Sequence, residues 1–311
     1  MLNKKTLLVL ICAISLYVGF VVFSDISILL EKFKNFDFIY LLFSLLLIFI
    51  SYLIRGIRYD YLLKKISIHL PLKQSVMLFF AGLALGITPG KFGEVIKSSF
   101  LKRQYNQSLS KTVPVVFVER YFDLVGIVII AIVGVWFVEI QKTEILTAFF
   151  LMVIVLVVSR QRKLIIPILN RFKKIPFLKN FSNNFLEMYD TIHSLLSFRI
   201  YTKSTGLSII AWLLESIGVF FIFQGFGIDL SFETVVLIFV ISSLIGAISM
   251  LPGGLGITEG SMIGLLLFQG IDYTEAFSVV LLVRIATLWY SIMLGLLCMR
   301  TLTASVYKTE K

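Results

Sequence analysis

Lys91, Glu94, Glu119, Arg120, Asp123, Glu215, Glu259 and Arg284 interrupt stretches of chain that are otherwise apolar. In a membrane a charged side chain costs about 2.5–3.5 kcal/mol on insertion scales, so each must be paired or wet. Glu94 and Glu259 occupy matching places in PGKFGE (89–94) and PGGLGITE (252–259). Arg120 follows Pro89 by 31 residues, and Arg284 follows Pro252 by 32. Two chemistries suit that pattern. In one, Glu94–Arg120 and Glu259–Arg284 are structural ion pairs. In the other, the arginines and Lys91 hold a phosphate through charge-assisted hydrogen bonds. The two are compatible if a pair opens on binding. Glu119 and Asp123, four apart, share a helix face beside Arg120 and balance its charge. Glu215, in AWLLESIGVF, has no local partner and is a candidate for proton coupling.

The elements that must position these residues are two breaks in apolar sequence, GITPGKFGEVIKS (86–98) and MLPGGLGITEG (250–260). Pro89 and Pro252 end one helix, and a new half-helix begins just beyond. Its first N–H groups lack intrahelical partners and carry the positive end of the helix dipole. Such an end suits phosphate. Gly90 and Gly93, with Gly253, Gly254 and Gly256, allow close backbone approach to a ligand. The same glycines would equally serve tight hairpin packing.

Composition sets the solvent. The chain has 311 residues, 58% hydrophobic and 15% charged, with mean hydropathy +0.96. Continuous runs reach the roughly 17–25 apolar residues that a bilayer core requires. Backbone groups in lipid must pair internally, so these runs are helices. The fold class is therefore an all-α polytopic membrane protein. Full spans are expected at about 6–24, 38–54, 113–138, 144–159, 205–227 and 274–299. The first reads as an uncleaved span, since no small-x-small site precedes Asp25. Two cysteines and two histidines, far apart, give no disulfide framework or metal site. No cofactor is expected.

The net charge of +11 follows topology and does not point to nucleic acid. Most basic residues cluster around 4–5, 55–73, 102–111, 160–204 and 300–311, while the intervening ends are acidic. By the positive-inside rule both termini are cytoplasmic. Arg55 and Arg58 then close the second span and snorkel to headgroups. Segment 74–101 has basic residues at both ends, and segment 234–270 has acidic ones at both. Each is expected to be a re-entrant helical hairpin, one from each face. The expected organisation is one membrane domain over 1–311. It comprises a first span and external loop (1–35), a first repeat (36–159), a basic amphipathic cytoplasmic connector (160–204), a second repeat (205–300) and a tail (301–311). The repeats have inverted topology, an arrangement that places substrate sites at the repeat interface.

Taken in order, GITPGKFGEVIKSSFLKR, VFVERYFDLVG and SMLPGGLGITEG resemble the lysylphosphatidylglycerol synthase transmembrane-region family, the flippase-like domain also found at the N-terminus of the multiple peptide resistance factor. The resemblance spans about residues 5–300. It implies a lipid-handling domain that moves or binds headgroups between leaflets of the cytoplasmic membrane. The soluble domain that aminoacylates phosphatidylglycerol in fused members is absent here, so that synthesis is not expected. Some relatives look linked to polyprenyl-phosphate sugar pathways, so the lipid is either a phospholipid or a polyprenyl phosphate.

The reading is a flippase-like lipid translocase, not an enzyme, with the headgroup held between the hairpins. No nucleotide-binding P-loop is present, so transport runs downhill or on an ion or potential. Two alternatives stand beside it. One is a membrane enzyme of lipid-carrier glycosyl or phosphoryl transfer that recruits Glu94, Glu119, Asp123 or Glu259. The other is a non-transporting scaffold for a lipid-synthesis enzyme, docked through 160–204. A homo-oligomer is compatible with each.

Overall fold

The computed structural model describes residues 26–136 and 182–309. The spans expected at 6–24 and 144–159, and the first part of the 160–204 connector, lie outside the described residues. Every regular element among the described residues is helical. The chain is an all-α membrane protein.

A short helix, α1 (Ile26–Lys34), precedes the long α2 (Phe38–Lys65). Asp37 caps α2 by accepting the Ile39 N–H at 3.1 Å. The first broken segment is α3 (Leu72–Leu83), a 3-10 turn (Pro89–Val95) and α4 (Ile96–Tyr105). Asn106, in the left-handed conformation, closes α4, and α5 (Leu109–Val135) follows. Next come α6 (Ser182–Leu195) and the long α7 (Phe198–Gly225). The second broken segment is α8 (Phe232–Ile248), a turn (Pro252–Gly254) and α9 (Ile257–Phe268). Finally α10 (Tyr273–Arg284) passes through a π-helical turn, Ile285–Trp289, into α11 (Tyr290–Thr309). Long helix, broken pair, long helix thus occurs twice.

Among the described residues three helices are long and apolar enough to cross a membrane: Phe38–Lys65, Phe198–Gly225 and Tyr273–Leu302. Helix α5 has 27 residues but carries Glu119, Arg120 and Asp123 along its length. Two boundaries differ from the sequence expectation. Helix α2 runs on to Lys65 instead of ending near 54, because Arg55 and Arg58 are buried against other helices. Helix α7 starts at Phe198, so the connector ends earlier than 204. Its last part, α6, packs on α5 through buried Tyr189, Thr191 and Leu195. There Glu187 accepts hydrogen bonds from Ser108, at 3.1 Å, and from Ser110.

The two halves interleave. Helix α7 lies along α2, α3 lies along α11, and α8 packs on both α5 and α9. A Cβ at Gly295 would collide with the backbone of Ala84, so α11 crosses α3 in backbone contact. Small residues permit this approach where lipid offers no hydrophobic drive between helices.

Candidate functional site

Each break is built by its own local hydrogen bonds. In the first, the Thr88 hydroxyl donates to the Leu85 carbonyl at 2.7 Å and accepts the Gly93 N–H at 2.6 Å. Gly90 and Lys91 both have positive φ, +57° and +56°. A Cβ on Gly93 would stand 2.6 Å from Leu85 Cβ, so Gly93 serves close hairpin packing. In the second break, Met250, Gly253, Gly254 and Gly256 have positive φ. Glu259 Oε2 accepts the Gly256 N–H at 2.8 Å, the reciprocal half of a helix cap. The N–H groups of Gly93 and Gly256, expected to face a ligand, are therefore already engaged.

The breaks touch. Ile87, Leu255 and Leu288 form a small buried apolar cluster between them, with Trp289 and Ile292 against it. Their meeting surface is thus apolar, and the polar site lies to one side, around the first break. Four cations and four carboxylates assemble there into a network of buried ion pairs from α2, the first turn, α4, α5 and α7. Arg55 pairs with Glu215. Arg58 Nη2 lies 2.8 Å from Asp123 Oδ1, and Lys97 Nζ lies 2.7 Å from Glu119 Oε2. Arg120 Nη2 lies 3.3 Å from Glu94 Oε2, and Arg120 Nη1 lies 3.1 Å from Asp123 Oδ2. Further contacts fix the cations. Arg58 donates to Ser208. The Arg55 guanidinium sits 4.6 Å from the Trp212 ring centroid, and the Lys97 ammonium 4.7 Å from that of Tyr59.

Several sequence expectations change. Arg55 and Arg58 do not snorkel: both are buried, because Glu215 and Asp123 on other helices need cations. Glu215 is far from lone, since Arg55 meets it across 160 residues of sequence. Lys97 was not among the sequence candidates, although it stands three residues after Glu94 and is fully buried. One signal pointed to it. Glu94, Glu119 and Asp123 outnumber Arg120, so further cations had to come from elsewhere.

The two arginines have different surroundings. Arg284 donates from Nε to Glu259 Oε1 at 2.8 Å and from Nη2 to the Gly253 carbonyl at 2.7 Å. Arg120 is one-fifth exposed and reaches no break carbonyl, while its partner Glu94 is only 1% exposed. The cause is the spacing of glycine to glutamate. Glu259 lies three residues after Gly256, where it folds back as a cap. Glu94 follows Gly93 directly and cannot, so Thr88 does the capping and Glu94 turns to Arg120 and Lys97. Beside Arg120, Lys91 is exposed and has no ion-pair partner among the described residues. Phe92 is 55% exposed, with its ring 6.0 Å from that of Phe117. Among the described residues no group of His, Cys, Asp and Glu could hold a metal ion.

Comparison with known proteins matches this chain to others over most of its length. A family model described as the lysylphosphatidylglycerol synthase TM region matches residues 8–295. A UPF0104 membrane protein of Methanocaldococcus jannaschii is 27% identical over 242 residues, 72% of this chain and 96% of that protein. One from Pyrococcus horikoshii is 27% identical over 321 aligned positions, covering 94% and 95% of the two chains. One from Methanothermobacter thermautotrophicus is 30% identical over 219 residues, covering 65% and 66%.

Proposed function

Because the chain belongs to the lysylphosphatidylglycerol synthase transmembrane-region family, we propose that it is a flippase-like lipid translocase and not an enzyme. Its ligand is the phosphate of a phospholipid or polyprenyl-phosphate headgroup, bound at the first break. The observation that carries this reading is the setting of Arg120. It is the one partly open cation of the buried network, and it stands beside exposed, unpaired Lys91. Exposed Phe92 and Phe117 provide an apolar floor next to these cations. Two cations above an apolar surface suit a phosphate that carries a hydrocarbon tail. Arg284 is assigned to the second break instead, because its Nε and Nη2 donate to Glu259 and the Gly253 carbonyl and it is largely buried.

The test is mass spectrometry of lipid retained by the purified protein. Wild type should enrich one phosphate-bearing lipid class. Arg120→Ala should lower that enrichment about tenfold or more, the worth of a hydrogen bond to a charged group. Arg284→Ala, where folded, should retain the lipid. Bulk lipid alone in wild type, unchanged by Arg120→Ala, would remove the basis for a phosphate site and favour a scaffold role.

The same proposal places both broken segments as re-entrant hairpins in the cytoplasmic membrane, with both termini cytoplasmic. Exposed positions flank each segment: Lys73 and Arg103 around the first, Glu233 and Gln269 around the second. Single cysteines there, in a background lacking Cys12 and Cys298, should label in two groups. Those at 73 and 103 should react from the cytoplasm, and those at 233 and 269 from outside. Labelling at 73 and 103 from opposite faces would make the first segment a crossing helix and end the inverted-repeat proposal.

A further inference from the structure

The buried ion pairs around the first break are not equally firm. Arg58–Asp123 and Lys97–Glu119 close at 2.8 and 2.7 Å, whereas Glu94 stands 3.3 Å from Arg120 and 3.4 Å from Lys97. Glu94 Oε1, like Glu119 Oε1 and both Asp123 carboxylate oxygens, is buried with no hydrogen-bond partner, so the longer contacts of Glu94 are what set it apart. Glu94 Oε1 also lies beside an open place. It faces Gly86, 4.0 Å from where a Cβ would stand, so no side chain fills that place. Glu94 also belongs to the break itself, and the other three carboxylates lie on the continuous helices α5 and α7. It is the carboxylate free to change partner.

We propose that Glu94 is a proton-binding site, filled when a lipid phosphate displaces its carboxylate from Arg120, so that lipid and proton cross the membrane together. The inference rests on the phosphate site proposed above. Around Glu94, α5 supplies Arg120, Glu119 and Asp123, and the chain following the break supplies Lys97. Helix α2 supplies Arg58, paired with Asp123, and Tyr59, whose ring covers Lys97. Lys91 stands at the exposed rim. Once phosphate takes Arg120 and Lys91, the cation left to Glu94 among the described residues is Lys97, already held by Glu119. Two buried carboxylates sharing one lysine repel each other, and a proton on one relieves the repulsion. Glu94 accepts it, because Glu119 keeps the shorter contact. The proton comes from water on the side where the lipid enters. It leaves when phosphate departs and Arg120 returns.

Calorimetry on the detergent-purified full chain tests this with two probes, short-chain phosphatidylglycerol and a short-chain polyprenyl phosphate. The first stays a monoanion throughout, so any proton it brings in resides on the protein. In wild type, binding should take up close to one proton, and Kd should rise by up to about tenfold per pH unit as pH increases. Glu94→Gln removes the competing charge. It should bind more tightly at neutral pH and lose the protein's share of proton uptake. The titration of the polyprenyl phosphate is the same with either protein and cancels. Should Glu94→Gln fail to fold, the proton count of wild type with phosphatidylglycerol decides alone. Binding without proton uptake, or uptake unchanged in Glu94→Gln, overturns the coupling and leaves the phosphate site standing. Binding of neither probe to wild type overturns the phosphate site, and the coupling with it.

Discussion

Replacing Arg284 with alanine should destabilise the protein by about 3–5 kcal/mol, the usual cost of removing one partner from a buried pair. Glu259, 2% exposed, would keep its charge without its cation, and the Gly253 carbonyl would lose its donor. Thermal unfolding in detergent, followed by intrinsic fluorescence, measures the loss. Arg284→Lys should recover little of it. The arginine uses Nε and Nη2 on two separate acceptors, and a lysine presents a single point of charge. Adding Glu259→Gln to Arg284→Ala should recover part, because it removes the stranded charge while a side-chain oxygen remains to cap Gly256. An unchanged melting temperature with loss of bound lipid would mean that Arg284 is a ligand residue after all.

That experiment separates two arginines that their distances from proline make equivalent. The breaks and the glycines can be read from local sequence, and both glutamate–arginine juxtapositions from the 31- and 32-residue proline-to-arginine spacing that recurs in the two halves. The asymmetry was legible too, in the one-residue and three-residue offsets from Gly93 to Glu94 and from Gly256 to Glu259. Other features could not be read this way. Arg55–Glu215, Arg58–Asp123 and Arg58–Ser208 join helices 65 to 160 residues apart in sequence, and only the packing of α7 along α2 and α5 selects those partners. An arginine near the end of an apolar run snorkels when nothing buried needs it, and turns inward when something does. The π-helical turn after Arg284 is equally tertiary. Tyr52 on α2 donates to the Thr287 carbonyl at 2.5 Å, which satisfies an acceptor in the turn where the helix repeat changes.

Lys97 is the other position where a single change should be severe. It is fully buried, bonded to Glu119, and ringed by Tyr59 and Phe79, with centroids at 4.7 and 5.3 Å. Gly82 gives its stem room, since a Cβ there would stand 2.8 Å from Lys97 Cδ. Lys97→Met keeps a flexible stem and deletes the charge. It leaves Glu119 and Glu94 together in a pocket with no nearer cation than Arg120, and it should cost about 3–5 kcal/mol in the same unfolding assay. Lys97→Met combined with Glu119→Gln removes both charges of the firm pair and should recover most of that loss. The coupling free energy of this double-mutant cycle then reports the pair itself. A Lys97→Met protein as stable as wild type would mean that Glu119 already carries a proton in the folded chain. Glu94 would then have Lys97 to itself after Arg120 leaves, and no reason to take up a proton of its own. The firmness of the Lys97–Glu119 pair is thus what makes Glu94 the movable charge, and the stability of one lysine variant bears directly on how lipid movement is driven.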